Sequence, residues 1–263
     1  MKEPRAFETG LRVMLLALAT SCARPTTGDG LPRDSYRVAV NQPSSETERM
    51  AIRELAVPGF LPAVLVEPGG VGSRPLIVAA HGAGGSPEAE CDYWSRLTLG
   101  QSFVLCLRGT RINPEAGFYF RDHHALDAEL TAALAAARAK LPRVTPGSGL
   151  YAGFSQGASM GSLVIGKHAD ELPYAVLIEG FERWNLALAR AFAARGGKAV
   201  LFACGSRECS KAADTSTLWL QRAGVRARAV HAAGAGHTPG GQVKSLVEAN
   251  LPWLLTGNDA RKF

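Results

Sequence analysis

One serine of this chain lies in a setting typical of a catalytic nucleophile. Ser155 is the central residue of a G-x-S-x-G pattern at 153–157, directly after the apolar run 150–152. In a nucleophile elbow, the serine occupies a sharp turn between a strand and a helix, and the flanking glycines avoid collisions with neighbouring backbone. A stretch compatible with a helix begins at Gln156, so the local sequence fits such a turn.

A serine hydroxyl is too weak an acid to attack an ester at neutral pH, so Ser155 requires a base within hydrogen-bond reach. His237 is the candidate, because it lies in the glycine-rich loop 234–238 between the last predicted strand and the last predicted helix. A solvated loop histidine without a catalytic role is the alternative. A second glycine-rich loop, 81–85, begins with His81 and leaves its backbone N–H groups free to face a negative charge, although a plain turn has the same composition.

These residues need a scaffold, and the chain alternates short apolar runs with stretches of helical spacing. The runs 75–80 and 198–203 are apolar on both faces, which is typical of strands buried between helix layers. We therefore predict an α/β fold with a mostly parallel central sheet, an antiparallel start and helices on both faces. The predicted strands are 36–40, 53–57, 62–66, 76–80, 103–107, 149–152, 175–178, 199–203 and 228–232, and the predicted helices are 88–96, 124–140, 156–167, 184–194, 212–223 and 242–254.

Composition indicates one globular domain. Of the 263 residues, 46% are hydrophobic and 20% are charged, which excludes a disordered or fibrous chain. The formal net charge of +6 comes from scattered arginines and not from a basic run, so we expect no nucleic-acid partner.

The N-terminus resembles an export signal. Basic residues precede the apolar run 13–19, which is too short to span a bilayer, and small residues followed by Cys22 come next. This order resembles a bacterial lipobox, in which Cys22 would be acylated and become the first residue of the mature protein. Cleavage nearby with an incidental Cys22 is the alternative, and both interpretations export the protein. We expect a signal peptide at 1–21, a Pro/Gly/Thr-rich tether at 22–34 and one domain at 35–263, held at a bacterial membrane in the periplasm or at the cell surface.

The other cysteines support export. If Cys22 carries a lipid, four cysteines remain, and four can form two bridges in an oxidising compartment. We predict Cys91–Cys106 and Cys204–Cys209, because each pair closes a short loop near the end of a predicted strand. Zinc is not expected, since the chain has no C-x-x-C spacing.

With these motifs in this order, the chain from about residue 36 onward resembles the α/β-hydrolase superfamily. Within that superfamily, it resembles the compact esterases of the dienelactone-hydrolase and polyhydroxyalkanoate-depolymerase kind. The resemblance implies Ser155 as nucleophile and His237 as base. It also implies an oxyanion hole formed by the backbone N–H groups of Ala83 and Gln156, with His81 bracing the loop.

The resemblance leaves the acidic member of the triad open. Superfamily chains commonly place an acid shortly after the glycine that ends the next-to-last strand, and the matching residue here is Glu208. Glutamate can serve, since the acid only orients the histidine and stabilises its cation. Glu179 competes, because some relatives carry the acid after the preceding strand, and Asp214 lies in the same region as Glu208. We expect Glu208, with Glu179 and Asp214 as alternatives.

No metal site or cofactor is expected. Asp122, His123 and His124 resemble a ligand group, but adjacent residues at a helix start point in different directions, and Asp122 fits a helix cap better. The leading hypothesis is a serine hydrolase that cleaves small or polymeric carboxylic esters through an acyl-enzyme. A peptidase or thioesterase with the same triad is the alternative among enzymes, and a non-catalytic surface lipoprotein that binds ligands is the alternative from another class.

Overall fold

The computed structural model describes residues 50–113 and 115–255. The expected signal peptide, the tether, Cys22 and the predicted strand 36–40 lie outside these described residues. The elements within them are β1 (Ala51–Leu55), β2 (Ala63–Glu67), β3 (Leu76–Ala80), α1 (Pro87–Leu97), β4 (Phe103–Cys106), β5 (Thr110–Arg111), β6 (Phe118–Tyr119), α2 (His123–Lys140), β7 (Leu150–Phe154), α3 (Gln156–Val164) with a short 3₁₀ turn (Ile165–Lys167), β8 (Tyr174–Ile178), α4 (Leu186–Ala194), β9 (Ala199–Cys204), α5 (Arg207–Arg222), β10 (Arg226–His231) and α6 (Gly241–Leu254).

Eight strands form one sheet in the order β1-β2-β4-β3-β7-β8-β9-β10. The strand β2 pairs antiparallel with both β1 and β4, and every pairing from β4 to β10 is parallel. The predicted sheet, with its antiparallel start, is therefore confirmed. The short strands β5 and β6 form a separate hairpin that was not predicted from the sequence.

Side chains alternate between two cores along each buried strand. In β3, Val78 belongs to a core with α2, α3, α4 and α5, whereas its neighbours Ile77 and Ala79 belong to a core with α1 and α6. Such two-sided burial explains why these strands are apolar on both faces. The predicted helix layers on both faces are confirmed, and all the parallel strands direct their carboxyl ends to one edge of the sheet.

The helices α4 and α5 begin more than one residue away from the predicted starts, because polar caps define their first turns. The Asn185 side chain accepts a hydrogen bond from the Leu188 N–H, so α4 begins at Leu186. The Ser206 hydroxyl accepts one from the Cys209 N–H, so α5 begins at Arg207, well before the predicted 212. The earlier start of α5 places residue 208 inside a helix.

Both predicted disulfides are present. Cys91–Cys106 links α1 to the end of β4, and Cys204–Cys209 links the end of β9 to the first turn of α5. Disulfides persist in oxidising surroundings, so this pair is consistent with an extracellular protein. Of the helices within the described ranges, none has both the length and the apolar character needed to cross a membrane.

The helix α3 packs unusually close to the sheet through glycine. A Cβ atom built on Gly157 would lie 2.1 Å from the Ala80 carbonyl oxygen, and one on Gly153 would lie 2.7 Å from the Ala158 nitrogen. Both contacts involve backbone, which cannot move aside as a flexible side chain can. Glycine is therefore required at both positions if α3 is to keep its place against β3 and β7.

We predict that Gly157→Ala lowers the free energy of unfolding by about 2 kcal/mol or more, because the methyl group must displace backbone. Gly166→Ala is the matched control: its new Cβ would meet its nearest neighbour at 3.6 Å, an ordinary contact, so stability should hold or rise. Urea unfolding of both variants measures the difference. Equal stability of the two variants would contradict the close approach.

Candidate active site

Ser155 lies at the turn between β7 and α3, with the backbone in a conformation that L-residues rarely adopt. Its φ is 51° and its ψ is −108°. Such a conformation costs on the order of 1–3 kcal/mol and persists only where surrounding contacts enforce it. Here the Ser155 N–H donates to the Ile178 carbonyl at 2.9 Å, and the Gly157 N–H donates to the His81 carbonyl at 3.1 Å. These two hydrogen bonds hold Ser155 in this conformation.

His237 lies beside this serine, in the loop between β10 and α6. Its Nε2 is 2.8 Å from the Ser155 Oγ, a hydrogen-bonding distance. The imidazole ring stacks on Phe181, with centroids 5.4 Å apart and planes inclined by 16°, and it also contacts the Phe154 ring. The His237 side chain nevertheless remains 42% exposed. Two residues that are distant in sequence are thus brought together as nucleophile and base require.

The carboxylate behind His237 belongs to Glu179, which directly follows β8. Glu179 is completely buried, and its Oε2 lies 3.1 Å from the His237 Nδ1. Its Oε1 accepts hydrogen bonds from the backbone N–H groups of Gly205 and, at 3.0 Å, Ser206. A buried carboxylate is tolerated only when its oxygens are hydrogen-bonded, and here both are. Glu179 also has a positive φ of 55°, which turns its side chain inward at the strand end.

The structure thus places the alternative Glu179, and not the expected Glu208, beside His237. Because Ser206 caps α5 and starts it early, Glu208 lies exposed in the first turn of that helix. A negative charge at this position stabilises the helix N-terminus. Asp214 is exposed farther along the same helix and accepts from His231 at 3.0 Å. The sequence signal for Glu179 was its position next to glycine, immediately after a fully apolar strand.

Two backbone N–H groups near Ser155 have no acceptor among the described residues: those of Ala83 and Gln156. Gln156 opens α3, where the helix does not use its own N–H groups, and its side chain instead accepts from the Phe120 N–H at 2.8 Å. The loop that carries Ala83 packs closely against the turn at Ser155, since a Cβ atom built on Gly82 would lie 3.0 Å from the Ser155 Cβ. The arrangement suits an oxyanion hole.

His81 takes the bracing position expected of it. It is buried, its Nε2 lies 3.0 Å from the Arg108 carbonyl oxygen, and its ring stacks on Phe120 at 5.0 Å. These contacts join the oxyanion loop to the segment between β4 and α2. His81 contacts neither Ser155 nor His237 through any hydrogen bond in the described part of the chain.

The residues that resembled metal ligands have other partners. Asp122 caps α2, and its carboxylate accepts from the Ala125 N–H at 2.8 Å, while His123 and His124 lie against each other. Among the described residues, one group has donor atoms close enough for a metal, namely Glu179 with Cys204 and Cys209. Those two sulfurs are bonded to each other and the Glu179 oxygens are already hydrogen-bonded, so this group does not fit a metal ion.

The hydrogen bond between His237 and Glu179 can be tested without any substrate. Because a carboxylate acceptor deshields the imidazole proton, we predict a far-downfield N–H signal in the proton NMR spectrum that disappears in His237→Ala. Glu179→Gln should move this signal upfield, and Glu208→Gln should leave it in place. A signal that responds to the Glu208 variant instead would contradict the assignment.

Comparison with solved structures places this architecture among known folds. A putative dienelactone hydrolase from Klebsiella pneumoniae aligns with 78% of this chain and 98% of its own, at a TM-score of 0.61 and 18% identity. An esterase from Pyrobaculum calidifontis aligns with 79% of this chain and 85% of its own, at a TM-score of 0.54 and 19% identity. A fluorophosphonate-binding serine hydrolase of Staphylococcus aureus aligns with 80% of this chain and 99% of its own, at a TM-score of 0.61 and 11% identity.

In sequence comparisons, no protein-family model and no curated protein matches this chain. At the low identities found, the structural likeness concerns the fold and not the reaction. The chain has the α/β-hydrolase fold.

Proposed function

We propose that this protein is a serine hydrolase that cleaves carboxylic esters through an acyl-enzyme. The observation that carries the proposal is the continuous hydrogen-bond chain from Glu179 through His237 to Ser155. It joins the three residue types that serine hydrolases need, in the order acid, base and nucleophile. The likeness in fold to esterases and serine hydrolases supports the same choice.

The reaction follows from these contacts. His237 Nε2 accepts the Ser155 Oγ proton while that oxygen attacks the ester carbonyl carbon, and Glu179 stabilises the imidazolium that forms. The carbonyl oxygen becomes negatively charged and accepts hydrogen bonds from the Ala83 and Gln156 N–H groups. His237 then gives the proton to the leaving alcohol. A water molecule, deprotonated by His237, attacks the acyl carbon, the acid departs and Ser155 regains its proton.

A peptidase or thioesterase could use the same triad. Carboxylic esters are preferred, because an esterase is among the solved structures that share this fold. A non-catalytic binding protein is disfavoured, because it has no need of a strained Ser155 or of two free amides facing it.

We further propose that the protein is exported and acylated at Cys22, so that it acts in the periplasm or at the cell surface. The apolar run before Cys22 and the two disulfides of the folded domain support this location. Its substrate is then a small or polymeric ester outside the cytoplasm.

We predict that Ser155→Ala abolishes turnover of p-nitrophenyl acetate and labelling by a fluorophosphonate probe, because the attacking oxygen is gone. Circular dichroism should show that the variant is folded, and Ser159→Ala, which removes a nearby hydroxyl, is the matched control that should still be labelled. Turnover or labelling that survives in Ser155→Ala would exclude this nucleophile. Failure of the wild-type protein to react with the probe would favour the binding protein.

For the acid, we predict that Glu179→Gln lowers kcat by on the order of 10³–10⁴, since the amide neither holds the required imidazole tautomer nor stabilises its cation. Glu208→Gln removes a surface charge and should keep kcat within about twofold of wild type. The kcat for p-nitrophenyl acetate measures both. A larger loss from the Glu208 variant than from the Glu179 variant would return the role to Glu208.

A further inference from the structure

A cavity of about 370 Å³ opens beside the oxyanion loop. Its volume lies within the range of about 300–1,000 Å³ that small-molecule sites occupy. One wall is the loop with Gly82 and Ala83, and the opposite walls are α1 and Pro239 of the histidine loop. Gly82 packs directly on Ser155, so the cavity adjoins the bond-cleaving atoms. Part of any bound ester can therefore extend into it.

One wall of this mainly apolar cavity carries an acidic side chain, Glu90 of α1. The Glu90 Oε1 accepts a hydrogen bond from the Trp94 Nε1 at 3.0 Å. Its second oxygen has no hydrogen-bond partner among the described residues, and no described cation forms an ion pair with it. The triad and the oxyanion amides make no use of Glu90. A carboxyl group in a cavity with a free oxygen is suited to receive a donor from a ligand.

Burial raises the pKa of Glu90 to about 7, only partly opposed by the hydrogen bond from Trp94. The titratable groups around it are Tyr93 on the same helix, Tyr151 on β7 and His81 across the cavity, with Glu248 of α6 close to Tyr93. Burial and the Glu90 charge raise the pKa of both tyrosines, and Glu248 adds to this effect at Tyr93, so both side chains stay neutral. Glu90 is thus the side chain on this wall whose charge changes near neutral pH.

We propose that this cavity binds the part of an ester that carries a primary ammonium group, and that Glu90 is the specificity-determining residue that selects it. The inference rests on the proposed esterase function and names its substrate class. An ammonium group donates to the free carboxyl oxygen and neutralises a charge that the cavity otherwise disfavours. A carboxylate in the same place would meet a like charge and be excluded.

Two pairs of substrates test the proposal, since the ammonium group can lie on either side of the ester bond. In the acyl pair, p-nitrophenyl ε-aminohexanoate is compared with p-nitrophenyl heptanoate, and in the alcohol pair, aminopentyl acetate is compared with hexyl acetate. The quantity measured is the ratio of kcat/KM for the amine ester to that for its neutral partner. In at least one pair, Glu90→Gln should lower this ratio about tenfold, the loss expected for a charge-assisted hydrogen bond.

Asp92→Asn is the matched control, because it removes an exposed carboxylate from the same helix and should leave both ratios at their wild-type values. The pH dependence gives a second readout. Glu90 becomes ionised as pH rises through about 7, whereas an alkyl ammonium stays charged to about pH 10, so the wild-type ratio should rise between about pH 6 and pH 8. In Glu90→Gln the ratio should stay flat over the same pH range.

Ratios that are unchanged by Glu90→Gln in both pairs would overturn the inference, as would a wild-type preference for the neutral partner in both. Neither result would affect the esterase proposal, provided that p-nitrophenyl acetate is cleaved and the fluorophosphonate probe labels Ser155. Absence of that labelling in the wild-type protein would instead defeat the proposed function itself.

Discussion

The architecture around the site depends on one buried negative charge. Glu179 has no solvent contact, so its two oxygens must be satisfied from within the protein. Three donors do so: the N–H groups of Gly205 and Ser206 and the imidazole of His237. Moving any one of them would leave part of the carboxylate unpaired in a low-dielectric interior. The burial of this side chain therefore fixes the loop after β9 and the loop after β10 together.

The sheet supplies the geometry that makes this possible. Phe154 and Ile178 are paired at the ends of β7 and β8, so the residues that follow them, Ser155 and Glu179, occupy equivalent positions on adjacent strands. Both have a positive φ, and each donates its backbone N–H to the next strand, to Ile178 and Ala203 respectively. The Cys204–Cys209 bridge then closes the loop whose amides bind the Glu179 carboxylate. Strain at the strand ends is thus balanced by hydrogen bonds that only the complete sheet offers.

The fold and the juxtaposition of Ser155 and His237 could be predicted from sequence because their signals are local. The apolar strands, the glycines around Ser155 and the glycine loop of His237 each depend on a few neighbouring residues. The acid could not be assigned in this way. Glu179 and Glu208 both follow late strands, and the choice between them depends on backbone conformation at residue 179 and on where α5 begins. The decisive residue is Ser206, because its side chain caps α5 and so places residue 208 in the first turn of that helix, away from the site.

In the proposed mechanism, the exposure of His237 determines which molecule can attack the acyl-enzyme after the alcohol has left. The His237 side chain is 42% exposed and the neighbouring Phe181 is also exposed, so the imidazole is accessible to solvent. A second alcohol would have to compete with the solvent for the same basic nitrogen. The proposed mechanism therefore favours transfer of the acyl group to water over transfer to another alcohol.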